Sequence, residues 1–243
     1  MRAWLFERRL TVMLLAFAVA LAGASTQKLW TSAEAHWTRP LLRLVEGEAW
    51  SAAVLVVTGL LCVLAFALRT AAEARLRAVV YGQGQVQGLV VDGPFAWLRN
   101  PLYLGTWLFF SGATLLWLPL FAALLLCALF GFTLDAIVHH EEGLLATQHG
   151  EAYARYCARV SRWSPWPRRA PGTVTPGASA WLWASLGNLG LLSLGLFRIT
   201  VALGADPRPA GALNLFCIGL WLGVIAWRRV QAVRLERRQG SVN

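Results

Sequence analysis

Six apolar stretches constrain this chain more than any other feature: Leu10–Ala24, Trp50–Leu68, Leu102–Leu118, Leu120–Val138, Trp181–Ala205 and Ala212–Trp227. Asp135 near the end of the fourth and Arg198 within the fifth are the only charges in them. Crossing the hydrocarbon of a bilayer takes about 20 apolar residues, with a range of roughly 17–25. Most of the stretches qualify once their uncharged flanks are included, and the first is marginal. In lipid every backbone N–H and C=O must find a partner within the protein, which favours helices for stretches of this length. Only 14% of the 243 residues are charged, against about 25% in an ordinary soluble domain. The expectation is an all-α, polytopic membrane protein of about six transmembrane helices.

The net charge of +10 would suggest nucleic acid in a soluble protein, but its distribution points elsewhere. With the amino terminus in the cytoplasm, inner segments hold seventeen of the arginines, whereas outer segments hold only Lys28, Arg39, Arg43 and Arg208. That asymmetry is the positive-inside rule, and it predicts that both termini are cytoplasmic. The expected partner is the lipid bilayer, not nucleic acid. Cys62, Cys127, Cys157 and Cys217 form no C-x-x-C pair or cluster with histidine, so neither a zinc site nor a disulfide framework is expected. Arg8-Arg9, the first apolar stretch and Ala22-Gly23-Ala24 also resemble a cleaved signal peptide. A first span preceding several others is the commoner context, and it is the reading adopted.

Three regions follow. Residues 1–49 hold the first span and a Trp-bearing interfacial segment, residues 50–170 a core, and residues 171–243 a Pro-rich linker and two further spans. Spans three and four are separated by little more than Leu118-Pro119 and should form a tight helical hairpin, with Pro119 marking the bend. Two long inner segments flank that hairpin. One runs from Arg69 to Pro101, begins as a helical continuation through Ala71-Ala72-Glu73-Ala74-Arg75 and becomes glycine-rich; the other runs from His139 to Trp181, is helical at first and ends in prolines.

The residues able to do chemistry gather in these segments. The first group is Gly93-Pro94-Phe95-Ala96-Trp97-Leu98-Arg99-Asn100-Pro101-Leu102-Tyr103-Leu104-Gly105. Pro101 suits the first position of a helix, and Arg99 with Asn100 lies at a helix N-terminus, where free N–H groups and the dipole favour an anion. Arginine adds a bidentate clamp for carboxylate or phosphate, although Arg99 alone also fits a snorkelling anchor. The second group is His139-His140-Glu141-Glu142, followed by His149-Gly150-Glu151-Ala152-Tyr153, Tyr156, Val160, Arg162 and Pro165. Two acids at a helix C-terminus meet the negative end of its dipole, so they need a cation or a continuing helix. A hairpin brings Arg99 and the two acids to the same depth.

The ordered set G-P-F-x-x-L-R-N-P-x-Y-x-G, an apolar hairpin, E-E-x-L-L, H-G-x-x-Y-x-x-Y and V-x-R-x-x-P resembles the isoprenylcysteine carboxyl methyltransferase and phospholipid methyltransferase superfamily, over roughly residues 50–168. The resemblance implies a membrane-embedded helical core that uses S-adenosyl-L-methionine. It implies a cofactor site of Arg99, Asn100, Pro101, Tyr103 and Gly105 with the paired acids Glu141 and Glu142. Asn100 stands where prenylcysteine members carry histidine; asparagine donates and accepts hydrogen bonds but does not titrate.

Physically the cofactor fits these residue types. Arg99 suits its carboxylate, Glu141 or Glu142 its ammonium or ribose hydroxyls, and Tyr103, Tyr153 or Tyr156 its adenine or sulfonium, by cation–π attraction. Arg162 and Asn100 are the candidate catalytic residues. Arg162 is placed to hold an acceptor carboxylate or close a lid, and reads equally well as a surface phosphate contact. The acceptor is expected to be lipidic or amphipathic. Two rival readings are a small transporter using Arg198 with Asp135, Glu141 and Glu142 as a polar path, and a metal-dependent oxidoreductase using Asp135, His139, His140 and Glu142. No second His/Glu motif completes a di-metal set, so no metal is expected.

Overall fold

The computed structural model describes residues 48–81, 88–117, 120–164 and 175–240. The first apolar stretch, its signal-like features, Gly82, Gly84, the Leu118-Pro119 bend and most of the proline linker lie outside the described residues. The rest is helical: α1 (Glu48–Leu76), which runs on into a π turn (Arg77–Tyr81), a short 3-10 turn (Gly93–Ala96), α2 (Pro101–Trp117), α3 (Leu120–Arg159), α4 (Ala178–Ala202) and α5 (Pro207–Gly240). There is no strand among the described residues. These five helices correspond to spans two to six of the sequence reading. Four stretches within them are long and apolar enough to cross a membrane: Ala52–Val79, Ala123–Arg159, Ala178–Ala202 and Pro207–Trp227. With 17 residues, α2 is the short leg of its hairpin.

By the sequence the inner segment from Arg69 begins as a helical continuation, and Arg69, Arg75 and Arg77 all sit on α1 or its π extension. The reason is local. Ala71, Ala72 and Ala74 favour helix strongly enough that nothing interrupts it before the glycine-rich stretch.

Helix-to-helix contacts place the elements side by side in the order α3, α2, α1, α4, α5. Neighbours are antiparallel. Between α2 and α3, Thr114 meets Cys127, Phe110 stacks on Phe130 at 4.1 Å, and Tyr103 meets Glu141, so the paired numbers run in opposite directions. Glycine sets the central contacts. A Cβ on Gly195 of α4 would lie 2.8 Å from the Gly59 carbonyl oxygen of α1, and one on Gly112 of α2 would lie 3.0 Å from the Thr58 oxygen. Backbones this close give the dense van der Waals contact that holds helices together in lipid, where no hydrophobic drive exists between them.

Arg198 is drawn into this centre. It is 2% exposed, and its Nη1 donates to the Gly112 oxygen at 3.0 Å and the Thr58 oxygen at 3.4 Å, beside Cys62 Sγ at 3.4 Å. A charge in an apolar helix is expected to face the bundle, and here one guanidinium joins α4 to both α1 and α2. Thr58 precedes Arg69 by 11 residues, roughly three helical turns. On α2, Gly112, which Arg198 meets, lies nine residues from Tyr103, which meets Glu141, about 13 Å of helix rise, so Arg198 lies well away from the paired acids.

Candidate functional site

Three chain segments converge where α2 begins and α3 leaves the hairpin. The loop 88–100 enters α2 at Pro101, which is buried at the first helical position. Along α3 come Asp135, His139, Glu141 and Glu142. The third segment starts at Gly150, where φ of 48° and ψ of −124° break α3 into two pieces. That backbone conformation is essentially confined to glycine. The break redirects the helix, so that Tyr153, Tyr156 and Val160 pack under Leu89 and Val91. The Tyr156 hydroxyl donates to the Phe95 oxygen at 2.7 Å, and the Arg99 N–H donates to the Ser161 oxygen at 2.9 Å. The returning strap thus grips the loop from both sides. Gly150→Ala should cost about 1–3 kcal/mol through backbone strain alone, since a Cβ there would meet nothing within 4 Å. Thermal unfolding in detergent should register it as a drop of several degrees.

Glu142 is the hub. It is 8% exposed. Its Oε1 accepts from Asn100 Nδ2 at 3.0 Å and lies 3.5 Å from Arg99 Nε; its Oε2 accepts from Arg162 Nη2 at 2.7 Å and Nε at 3.1 Å. Charge-assisted bonds of this kind are about twice as strong as neutral ones. Those bonds push the Arg162 pKa up, keeping the guanidinium charged. Arg162 also reaches His139 at 3.0 Å and Asp135 at 3.6 Å. Asp135 in turn lies 3.2 Å from His139 Nδ1 and accepts from Trp163 Nε1 at 2.9 Å. One carboxylate therefore draws together cations from the loop and the strap.

The placement of the sequence candidates differs from residue to residue. Arg99, Asn100, Glu142 and Arg162 meet directly, and Tyr103 donates to Glu141 at 2.6 Å one position along. Gly105 faces the other way: a Cβ there would lie 2.5 Å from Arg69 Cγ of α1, so this glycine serves the α1–α2 approach. Tyr153 and Tyr156 form an apolar wall under the loop, with ring centroids 6.1 Å apart. The two acids, which by the sequence need a cation or a continuing helix, have both: α3 runs on to Arg159, and Arg162 spans Asp135, His139 and Glu142, the face that also suggested a metal. Trp163 falls on an unspecified position of V-x-R-x-x-P, and its bond to Asp135 has no signal in the sequence beyond its place after Arg162.

One donor in the hub is left over. Arg99 Nε is buried and makes no hydrogen bond, since its 3.5 Å approach to Glu142 is an ion pair only. A buried guanidinium N–H without an acceptor costs about 1–3 kcal/mol, which an anionic ligand group would recover. Glu142 has both oxygens engaged, whereas Glu141 and Tyr103 lie beside it. Taken together, the arrangement offers a cation for a carboxylate, an adjacent acid with a phenol, and a helix N-terminus.

Residues 47–152 match the family described as phospholipid methyltransferase. No curated protein and no solved structure matches the chain. The matching segment contains α1, α2 and α3 up to the strap, with Arg99, Asn100, Glu141 and Glu142 inside it.

Proposed function

We propose, from the match of residues 47–152 to the phospholipid methyltransferase family, that the protein is a membrane methyltransferase that transfers a methyl group from S-adenosyl-L-methionine to a lipidic or amphipathic acceptor. The observation that carries the reading is the convergence on Glu142 of Arg99, Asn100 and Arg162. Arg99, with its buried unsatisfied Nε, is suited to the amino-acid carboxylate of the cofactor. Glu141, bonded to Tyr103, is suited to an ammonium or hydroxyl donor. When bound, the cofactor supplies a methyl group already activated by its sulfonium.

What remains for the protein is alignment and exclusion of water. Alignment of reacting groups is worth roughly 7–11 kcal/mol in model systems. Pro101 and Asn100 fix the entry to α2, and Glu142 fixes the two arginines relative to each other. The strap residue Arg162 packs onto Glu142, which is buried, and burial strengthens the ion pairs that reach this carboxylate. Arg162 takes a different place from a free acceptor clamp. It is bonded to Glu142, so its first role is to hold that carboxylate, and any acceptor anion adds to an existing pair. The arginine distribution supports a cytoplasmic site, which the cofactor would enter from water and the acceptor from the bilayer.

The test is direct binding of labelled S-adenosylmethionine to detergent-purified protein, followed by methyl transfer to a membrane lipid extract. Arg99→Ala should weaken cofactor binding by roughly 10- to 100-fold, the scale of losing a charge-assisted hydrogen bond. Wild-type protein that binds no cofactor would overturn the proposal, and transport of a polar solute by such protein would favour the transporter reading.

A further inference from the structure

A second buried polar network lies one helix away from the hub, between α1, α2 and α4. Arg69 of α1 donates through Nη1 to the Leu102 oxygen at 3.0 Å and to Thr106 Oγ1, both in the first turns of α2. Its Nε donates to Asn188 Oδ1 of α4 at 2.9 Å. The other end of that amide, Nδ2, donates to Glu73 Oε2 at 3.0 Å and to the Ala184 oxygen at 2.9 Å. Glu73 Oε1 accepts from Arg77 at 2.7 Å. Asn188 is 0% exposed, and its oxygen faces a donor while its nitrogen faces acceptors, the only orientation that satisfies both ends.

Arg69 and Glu73 are four residues apart on one helix, the spacing at which opposite charges pair directly. They do not do so, because the amide stands between them. In a buried setting of low dielectric their attraction is much stronger than in water. Were the amide absent, Arg69 would swing along α1 to Glu73 Oε2 and leave the α2 carbonyl.

We propose that Asn188, on a helix outside the family-matching segment, is a positioning residue for the candidate site: by separating Arg69 from Glu73 it keeps Arg69 turned onto the first turn of α2. That turn carries Pro101 and Tyr103 and follows Asn100, so the carboxy-terminal spans help to hold the loop entry in register. The effect on ligand binding rests on the methyl-transfer reading. The separation of charges and its effect on α2 do not.

The experiment uses the full chain in detergent and two readouts. Hydrogen exchange at Leu104, Gly105 and Thr106 reports the first turn of α2; Leu104 N–H bonds to the Asn100 oxygen at 3.1 Å. Asn188→Leu should speed exchange there by roughly tenfold, and Asn188→Ala, which adds no bulk, should do the same if leucine disturbs folding. Adding Glu73→Gln removes the competing carboxylate and should return exchange to near the wild-type rate. S-adenosylmethionine affinity should follow the same order, weakened in Asn188→Leu and recovered in the double variant. Unchanged exchange in the single variants overturns the proposal. So does faster exchange that Glu73→Gln fails to reverse, since loss of packing alone gives that result. Wild-type protein that binds no cofactor sinks the methyl-transfer reading, while the exchange data still decide the positioning role.

Discussion

Glu142→Gln should lower S-adenosylmethionine affinity roughly 100- to 4,000-fold, because breaking a buried ion pair from one side costs about 3–5 kcal/mol. The amide has the shape of the acid but no charge. It would leave Arg99 and Arg162, drawn together by the two oxygens of one carboxylate, as neighbouring cations with no anion between them. Their repulsion should part the loop from the strap, and the Arg99 N–H bond to Ser161 would loosen with it. Isothermal titration of both proteins, at a temperature where each is folded, measures the loss. Affinity within a few-fold of wild type would mean that the hub is not the binding site.

Asp92→Leu should have an effect of similar size on stability. Asp92 is 3% exposed and pairs with Arg75 of α1 at 2.8 Å. Gly93, at φ of 59°, lies flat against the same guanidinium, where a Cβ would come within 3.1 Å of Cζ. This contact anchors the loop that delivers Arg99 and Asn100. Removing the acid strands a largely buried cation and should cost about 3–5 kcal/mol. Replacing both partners together, as Arg75→Leu with Asp92→Leu, should recover most of that loss, since a well-packed apolar pair is often as stable as a buried ionic one. Unfolding midpoints of the single and double variants decide the point. Equal losses in both would locate the effect in packing around Gly93 instead of in the charges.

Much of this protein is legible in its sequence. The apolar stretches place α1 to α5, because lipid leaves an apolar segment of that length few ways to satisfy its backbone. The hairpin follows from the two-residue gap between spans three and four. The meeting of Arg99 with Glu142 follows in turn, because antiparallel neighbours bring the start of one leg beside the end of the other. Even Gly150 is suggestive within H-G-x-x-Y, although nothing local says that it breaks α3 instead of continuing it.

Other features belong to the tertiary structure alone. No pattern distinguishes Glu141 from Glu142, yet one takes a phenol and the other meets three side chains, Asn100, Arg99 and Arg162. Arg69 reads as a positive-inside cation at the start of a helical continuation and proves to be a buried link to Asn188, 119 residues away. Gly105 reads as part of a binding motif and proves to be where α1 approaches α2. Hydrophobic length and charge asymmetry are properties of single segments, so the chain by itself determined the helices and the end of the bundle where polar residues collect. Which helix lies against which, and which partner each buried charge takes, depend on surfaces fitting one another at distances of a few ångströms. Only the assembled bundle contains that information.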